Sequence, residues 1–300
     1  MSAAGSANVA KVAWRARARA RARARLLRAA GSLAALWAWA SPAMALAGPE
    51  PERGLGLPRD ASTDGFRIDA LLHVTTGLTA AAFVFMCGWI VWAALRHNER
   101  RHEAVFERGE SRRAILVTLA MAGLVFFVID GYLFFSSTRD LGSVFHDFGR
   151  VERDPRAVRI EINAHQWAWD ARYPGPDGRF NTRDDIVTLN DIRVPVDAPI
   201  LLQVASTDVI HAFNLPNFRT KIDAVPGQVN RIWFQAKTTG EFDVGCAQHC
   251  GAAHYKMKAQ LTVLPREEYE RWAREMSESH ARGYDEADEG ARWGWEWQGI

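Results

Sequence analysis

Two long apolar stretches dominate the first half of the chain, and short alternating segments fill most of the second. Residues 70–95, "ALLHVTTGLTAAAFVFMCGWIVWAAL", and 114–137, "AILVTLAMAGLVFFVIDGYLFFSS", each exceed the roughly 20 residues a helix needs to cross a bilayer. The pattern predicts two transmembrane helices, with 48–69 as an outer segment before the first and 96–113 as the loop between them. From Val158 the period shortens. "AVRIEI", "WAWDARY", "PILLQVAS", "VNRIWFQA", "EFDVGC" and "KAQLTVL" are rich in β-branched and aromatic residues, and turn signals such as "YPGPDG", "VPVDAP", "AVPGQ" and "KTTG" separate them. Six or more short strands, with no helical pattern before Glu267, predict an antiparallel β-sandwich within 138–265. The remaining residues, 266–300, are polar and predict a partly helical, solvated extension with aromatic residues at its end.

Charge orients these segments. The loop 96–113 holds six arginines, against three in 48–69 and three in 138–155, so the positive-inside bias places the loop in the cytoplasm and both outer ends across the membrane. The N-terminus gives the same answer independently. A basic run from Arg15 to Arg25, the apolar stretch "SLAALWAWASPAMALAG" and the small residues Ala45-Leu46-Ala47 together read as a secretory signal over 1–47, cleaved after Ala47. The alternatives are a retained anchor helix or a misplaced start codon. A net charge of only +2 gives no reason to expect nucleic acid as a partner.

The segment with chemistry is "CAQHCGAAHYKM", residues 246 to 257. In an oxidising compartment Cys246 and Cys250 are first a candidate disulfide, though a tight one that leaves His254 and Met257 unexplained. A closed zinc site from His211, Cys246, Cys250 and His254 is the second possibility; Met257 argues against it, since a thioether is a soft ligand suited to copper. A mononuclear blue-copper site uses one thiolate, two imidazoles and a weak axial thioether, and this chain has one thiolate more. Two bridging thiolates can instead hold two coppers side by side, each completed by one imidazole, with Met257 and a loop carbonyl in the weaker positions.

The pattern C-x3-C-x3-H-x2-M, preceded by "STDVIHAFNLP" with His211 35 residues upstream of Cys246, resembles the dinuclear CuA site of cytochrome c oxidase subunit II. The resemblance extends over "TDGFRIDALLH", both apolar stretches, "HQWAWDARYPG", "VPVDAPILLQVAS", "KIDAVPGQVNRIWFQA" and "GEFDVGCAQHCGAAHYKM". It implies a two-helix transmembrane anchor carrying an all-β, cupredoxin-like Greek-key sandwich. It further implies two copper ions bridged by Cys246 and Cys250, one imidazole each from His211 and His254, and axial contacts from Met257 and the main-chain carbonyl of Gln248. His249 would be a non-ligand neighbour. By the same resemblance Trp167 is the electron entry point, cytochrome c the donor, and haem in subunit I of a haem-copper oxidase the acceptor. The implied location is a bacterial inner membrane, crossed twice, with the sandwich in the periplasm. One residue departs: many relatives have glutamate at Gln248, where the carboxylate also helps hold magnesium. A neutral amide is a weaker ligand for that hard cation, so the magnesium site is not carried over.

Other readings remain. A quinol oxidase subunit shares the fold without the ligand set. A nitrous oxide reductase carries a large further domain. A CuA subunit of a nitric oxide reductase differs only in its partner. A membrane-tethered copper-binding protein is the alternative from a different class. Period-2 spacing on a strand would put Trp167 and Trp169 on one face, with core packing expected for one of them. Asp170, Asp177, Asp184, Asp185 and Asp208 are candidates for steering a basic partner. Asp130 lies within the second apolar stretch, where an ionisable group faces protein or water. It would serve a shared proton route or bond a neighbouring helix. By the same resemblance Glu107 and Glu110 lie where the family can place a proton-entry glutamate, and Cys87 reads as a small apolar packing residue.

Overall fold

The computed structural model describes residues 57–97, 106 and 108–284. The leader over 1–47, Glu107 and the last residues of the tail lie outside the described residues. All contacts below fall within the unit that begins at Asp60.

The first helix, α1, is Gly65–Arg96, 32 residues, about 48 Å at 1.5 Å per residue. It has no polar stripe: Phe83, Phe85, Trp89 and Ile90 all stand exposed on the chain taken alone, as on a helix whose solvent is not water. The second span begins at α2, Arg112–Gly123, where the Ser111 hydroxyl accepts the Ala114 N–H and caps the helix. It continues through a π-helical stretch, Leu124–Asp130, then α3, Gly131–Asp140, and a second π-helical stretch, Leu141–Phe145. By length and composition both helices can cross a membrane. Each is longer than its apolar core, and the second runs past residue 137 into the start of the outer domain. A short helix, α4, Phe148–Glu152, capped by Asp147, follows.

Among the described residues, ten strands form two five-stranded sheets. One has the order β3-β2-β1-β5-β8, from Ile186–Leu189, Ala168–Tyr173, Val158–His165, Pro199–Ser206 and Asn230–Gln235. The other has the order β4-β10-β9-β6-β7, from Asp191–Pro195, Lys258–Leu264, Gly240–Cys246, His211–Leu215 and Thr220–Ala224. The expected all-antiparallel arrangement is corrected here: β1 runs parallel to β5 and β4 parallel to β10. The cause is a switch between sheets within one residue. Asn190, in the left-handed region at φ 56°, ends β3 in one sheet and starts β4 in the other. Its side-chain oxygen also accepts the Trp169 N–H at 2.9 Å.

The core lies between the sheets, where Ile160, Ile162, Ile200, Leu202, Phe213 and Leu261 are fully or almost fully buried. Strand β5 is buried on both faces, because its outward Leu201 is covered by Val144, Val151 and Trp233. The Trp233 indole N–H lies 3.1 Å from the carbonyls of both Val144 and Phe145, pinning the end of the second span to the sandwich. The start of α1 is held separately. Ala61 is buried in the core, its N–H donates to the Asn217 carbonyl at 2.7 Å, and Thr63 N–H donates to the Gln235 carbonyl at 3.0 Å. Just inside α1, Asp69 pairs with Arg219.

The tail also differs from expectation. Residues Arg266–Gly283 form a single helix, α5, docked on the sandwich: Trp272 meets Tyr173 edge-on at 5.4 Å, and buried Ser277 donates to the Asp184 carbonyl at 2.8 Å.

Candidate metal centre

One loop and two strand ends at one end of the sandwich bring the sulfur and nitrogen donors together. The loop, between β9 and β10, carries Gln248, Cys250, His254 and Met257; Cys246 ends β9 and His211 begins β6. Strands β9 and β6 are neighbours, with Phe213 opposite Cys246, which is how a residue 35 positions away joins the loop. The two cysteines are free, their sulfurs 3.7 Å apart, so they are not a disulfide. Around them the donors fall on two sides. His211 Nδ1 lies 3.1 Å from Met257 Sδ and 4.0 Å from Cys246 Sγ. His254 Nδ1 lies 3.6 Å from Cys250 Sγ, and the Gln248 carbonyl oxygen 3.1 Å from Cys246 Sγ. Met257 Sδ is also 3.7 Å from Cys250 Sγ. The ligating atoms of His211, Cys246 and Cys250 all lie within 4.8 Å of one another.

Burial and charge prepare this set. His211, Cys250 and Met257 are buried, while Cys246 and His254 are partly open. The His211 ring packs against buried Trp169, centroids 6.0 Å apart. Its Nε2 sits 2.9 Å from Asp208 Oδ1, which fixes the tautomer that leaves Nδ1 facing the sulfurs. Burial works to raise the Asp208 carboxyl, but the His211 contact and the backbone N–H groups of Val209 and Gln166 outweigh it and hold the group down to about 2. Burial, then the neighbouring Cys246, pushes the Cys250 thiol up to about 11. Metal binding must displace that proton.

Trp167 does not share a strand face with Trp169. It sits in the turn before β2 and is 38% exposed, whereas Trp169 on β2 is fully buried. Core packing therefore holds for Trp169 alone. The Trp167 indole N–H donates to the Cys250 carbonyl at 3.3 Å, and the Gln166 amide donates to the same oxygen at 2.8 Å. Gly251, at φ 120°, makes this approach possible: a Cβ there would stand 2.8 Å from Gln166 Nε2 and 3.3 Å from the Trp167 ring.

The other singled-out residues are dispersed. His249 meets His254 ring to ring at 5.4 Å and contributes no close donor atom. The carboxylates of Asp177, Asp184 and Asp185 bond mainly within their own loop, with Asp185 also 3.8 Å from Arg172 on β2, and Asp170 faces His165 and Asn163. Asp208 instead faces the His211 ring. Asp130 is exposed at the end of the first π-helical stretch, Glu110 precedes the Ser111 cap, and Cys87 is exposed on α1. Sequence reading missed Gln166 and Gly251 at the site; the one signal for each is adjacency, to Trp167 and to Cys250.

Known proteins resemble this chain. The family profile described as cytochrome C oxidase subunit II, periplasmic domain, matches residues 158–263. The alternative cytochrome c oxidase subunit 2 of Bradyrhizobium diazoefficiens is 31% identical over 229 residues, covering 68% of this chain and 78% of that protein. This chain belongs to the cytochrome c oxidase subunit II family. A second member, cytochrome c oxidase subunit 2 of Cereibacter sphaeroides, is 27% identical over 249 residues, 73% of this chain and 79% of that one. A crystal structure of the periplasmic domain of subunit II of cytochrome oxidase (CoxB) of Bradyrhizobium japonicum is 31% identical, covers 41% of this chain and 95% of that one, and superposes with a TM-score of 0.37. The family's members are subunits of an oxidoreductase, and its domain is the cupredoxin-like sandwich described above. Copper follows from the family, and the donor set fits it: soft sulfur and imidazole nitrogen, with no carboxylate among the converging atoms.

Proposed function

We propose that this chain is the electron-accepting subunit of a cytochrome c oxidase, holding two coppers between Cys246 and Cys250. The observation that carries it is the pair of sulfurs 3.7 Å apart, with His211 and Met257 on one side and His254 on the other. His211, Cys246, the Gln248 carbonyl, Cys250, His254 and Met257 would hold the metals. Copper held by these residues would supply a one-electron store.

The chain's own residues do the rest. The sandwich fixes His211 and Cys246 on adjacent strands, and the Asp208 contact fixes the imidazole, so the donors are set before metal arrives. The exposed Trp167 ring is joined to Cys250 through one hydrogen bond to its carbonyl, a short route inward from the surface. Exposed Ile210 and Tyr255 adjoin the two imidazole residues in sequence and offer apolar contact to a docked cytochrome c. The two helices serve as a two-pass anchor beside subunit I, whose haem takes the electron. The arginine-rich loop supports a periplasmic position for the sandwich.

Copper loading of the purified chain tests the centre. Analysis should find two coppers per chain, and electron paramagnetic resonance a single unpaired electron spread equally over both. One copper per chain, or a mononuclear signal, sinks the reading. Replacing Trp167 by Ala should leave copper content unchanged and lower cytochrome c oxidation by the assembled oxidase by about tenfold or more, equivalent to about 1.4 kcal/mol in barrier. An unchanged rate removes Trp167 from the path.

A further inference from the structure

A cavity of about 340 Å³ lies where the outer ends of the two spans meet the sandwich, lined by elements that take no part in the metal centre. Its size is that of a small-molecule site, about 300 Å³ or more. Its lining has two characters. Arg67 on α1, Arg219, Lys221 on β7 and Arg231 on β8 form a cationic rim, with Asp140 the single carboxylate among the lining residues. Ile68, Leu71, Leu141 and Phe145 supply an apolar floor.

The rim is largely in place. Arg67 bonds Asp64 and Asp140, Arg219 bonds Asp69, and Arg231 lies 3.9 Å from Glu152. Lys221 is exposed and forms no ion pair among the described residues. The level in the fold matters as much as the charge. Leu71 and Ser137 stand at the outer limits of the two apolar stretches, and the cations stand beyond them. The cavity thus sits at the depth where hydrocarbon gives way to headgroups, and the floor is continuous in sequence with exposed apolar residues, Leu72 on α1 and Phe134 and Phe135 on α3. A free phosphate would satisfy the rim and leave the floor without a partner. A neutral lipid would do the reverse.

From this juxtaposition we infer that the cavity binds one anionic phospholipid of the outer leaflet, its phosphodiester at Lys221 and Arg231 and an acyl chain along Ile68, Leu71 and Leu141. The assignment rests on the two-pass reading of the helices. Basic residues at the membrane surface attract anionic headgroups, while the apolar floor selects for a lipid over a soluble anion.

The test is native mass spectrometry of the full chain released from nanodiscs of phosphatidylglycerol and phosphatidylcholine in equal amounts. One retained phosphatidylglycerol per chain is expected, favoured about tenfold over phosphatidylcholine, the scale set by one or two interfacial cations. Lys221→Glu, at an exposed site, should bring the ratio near one, and Lys221→Arg should restore it. Equal retention of both lipids overturns the site, as does a preference that Lys221→Glu leaves unchanged. Displacement by inorganic phosphate overturns it in favour of a simple anion site. A lipid-free chain in the assembled oxidase, with Lys221 cross-linking to another subunit, overturns it in favour of a protein contact. Release of the chain from membranes by alkaline carbonate sinks the two-pass reading and the lipid site with it, whereas retention with no lipid preference sinks the lipid site alone.

Discussion

His211 has different neighbours at its two ring nitrogens: Nε2 lies 2.9 Å from Asp208 Oδ1, and Nδ1 lies 3.1 Å from Met257 Sδ. The first contact decides what the second can do. Without the carboxylate the ring loses the partner that fixes its tautomer, and outer partners of this kind are typically worth about 10- to 100-fold in metal affinity. Asp208→Ala should therefore weaken copper binding by about that factor in a chelator competition; an unchanged affinity shows that packing on Trp169 alone orients the ring. The residues that converge were legible in the sequence, because their types and spacing leave few alternatives. Asp208 was legible only as a surface acid. Its role depends on a turn that folds the carboxylate back onto an imidazole three residues later, and no periodicity encodes that. Trp167 was misplaced for a related reason: period-2 counting assumes a strand, and β2 begins one residue after it.

Strands are legible where both sheet faces are apolar or cleanly alternating, as in β5 and β10, and these were placed within a residue. Strand β6, "HAFNL", and β7, "TKIDA", are short and punctuated by polar residues facing out, and β3 and β4 are separated only by Asn190, so all four escaped the pattern. The docking of α5 escaped because its charges dominate its composition, while Trp272, Ala273 and Met276 alone meet the core. The junction between the second span and the sandwich depends on Trp233, 6% exposed, which packs on Val144, Val151 and Leu201. Trp233→Ala should cost about 3–5 kcal/mol of packing there. Limited proteolysis followed by mass spectrometry should then show new cleavage between residues 141 and 157, with copper content retained. Full protection would mean that α4 and the Leu141–Phe145 stretch hold without it.

At the scale of the whole molecule, the outer face of the first sheet carries a buried ion pair, Arg172 Nε to Glu161 Oε2 at 3.0 Å, both side chains almost wholly enclosed. Burial pushes Glu161 from the ordinary 4.5 up to about 7, against the pull of Arg172, and Asp185 beside it is raised for the same reason. The folded state therefore keeps its proton to higher pH than the unfolded state, and stability falls as pH rises from about 4.5 to about 7. Asp208 and Asp154, both held down to about 2, act in the opposite sense, but only below their ordinary 3.8. Melting temperature should thus decline between pH 5 and pH 7, and Glu161→Gln should flatten that slope whatever it does to the absolute value; a slope unchanged in the variant assigns it to other groups. The sandwich itself is tied to the spans twice, by Ala61 and Thr63 at the start of α1 and by Trp233 at the end of the second span. A body mounted on one span can swivel; mounted on both, through β8 and the turn that holds Asn217, it cannot. The height of the donor set above the helix ends is then a dimension of this chain alone, gauged before any other subunit arrives.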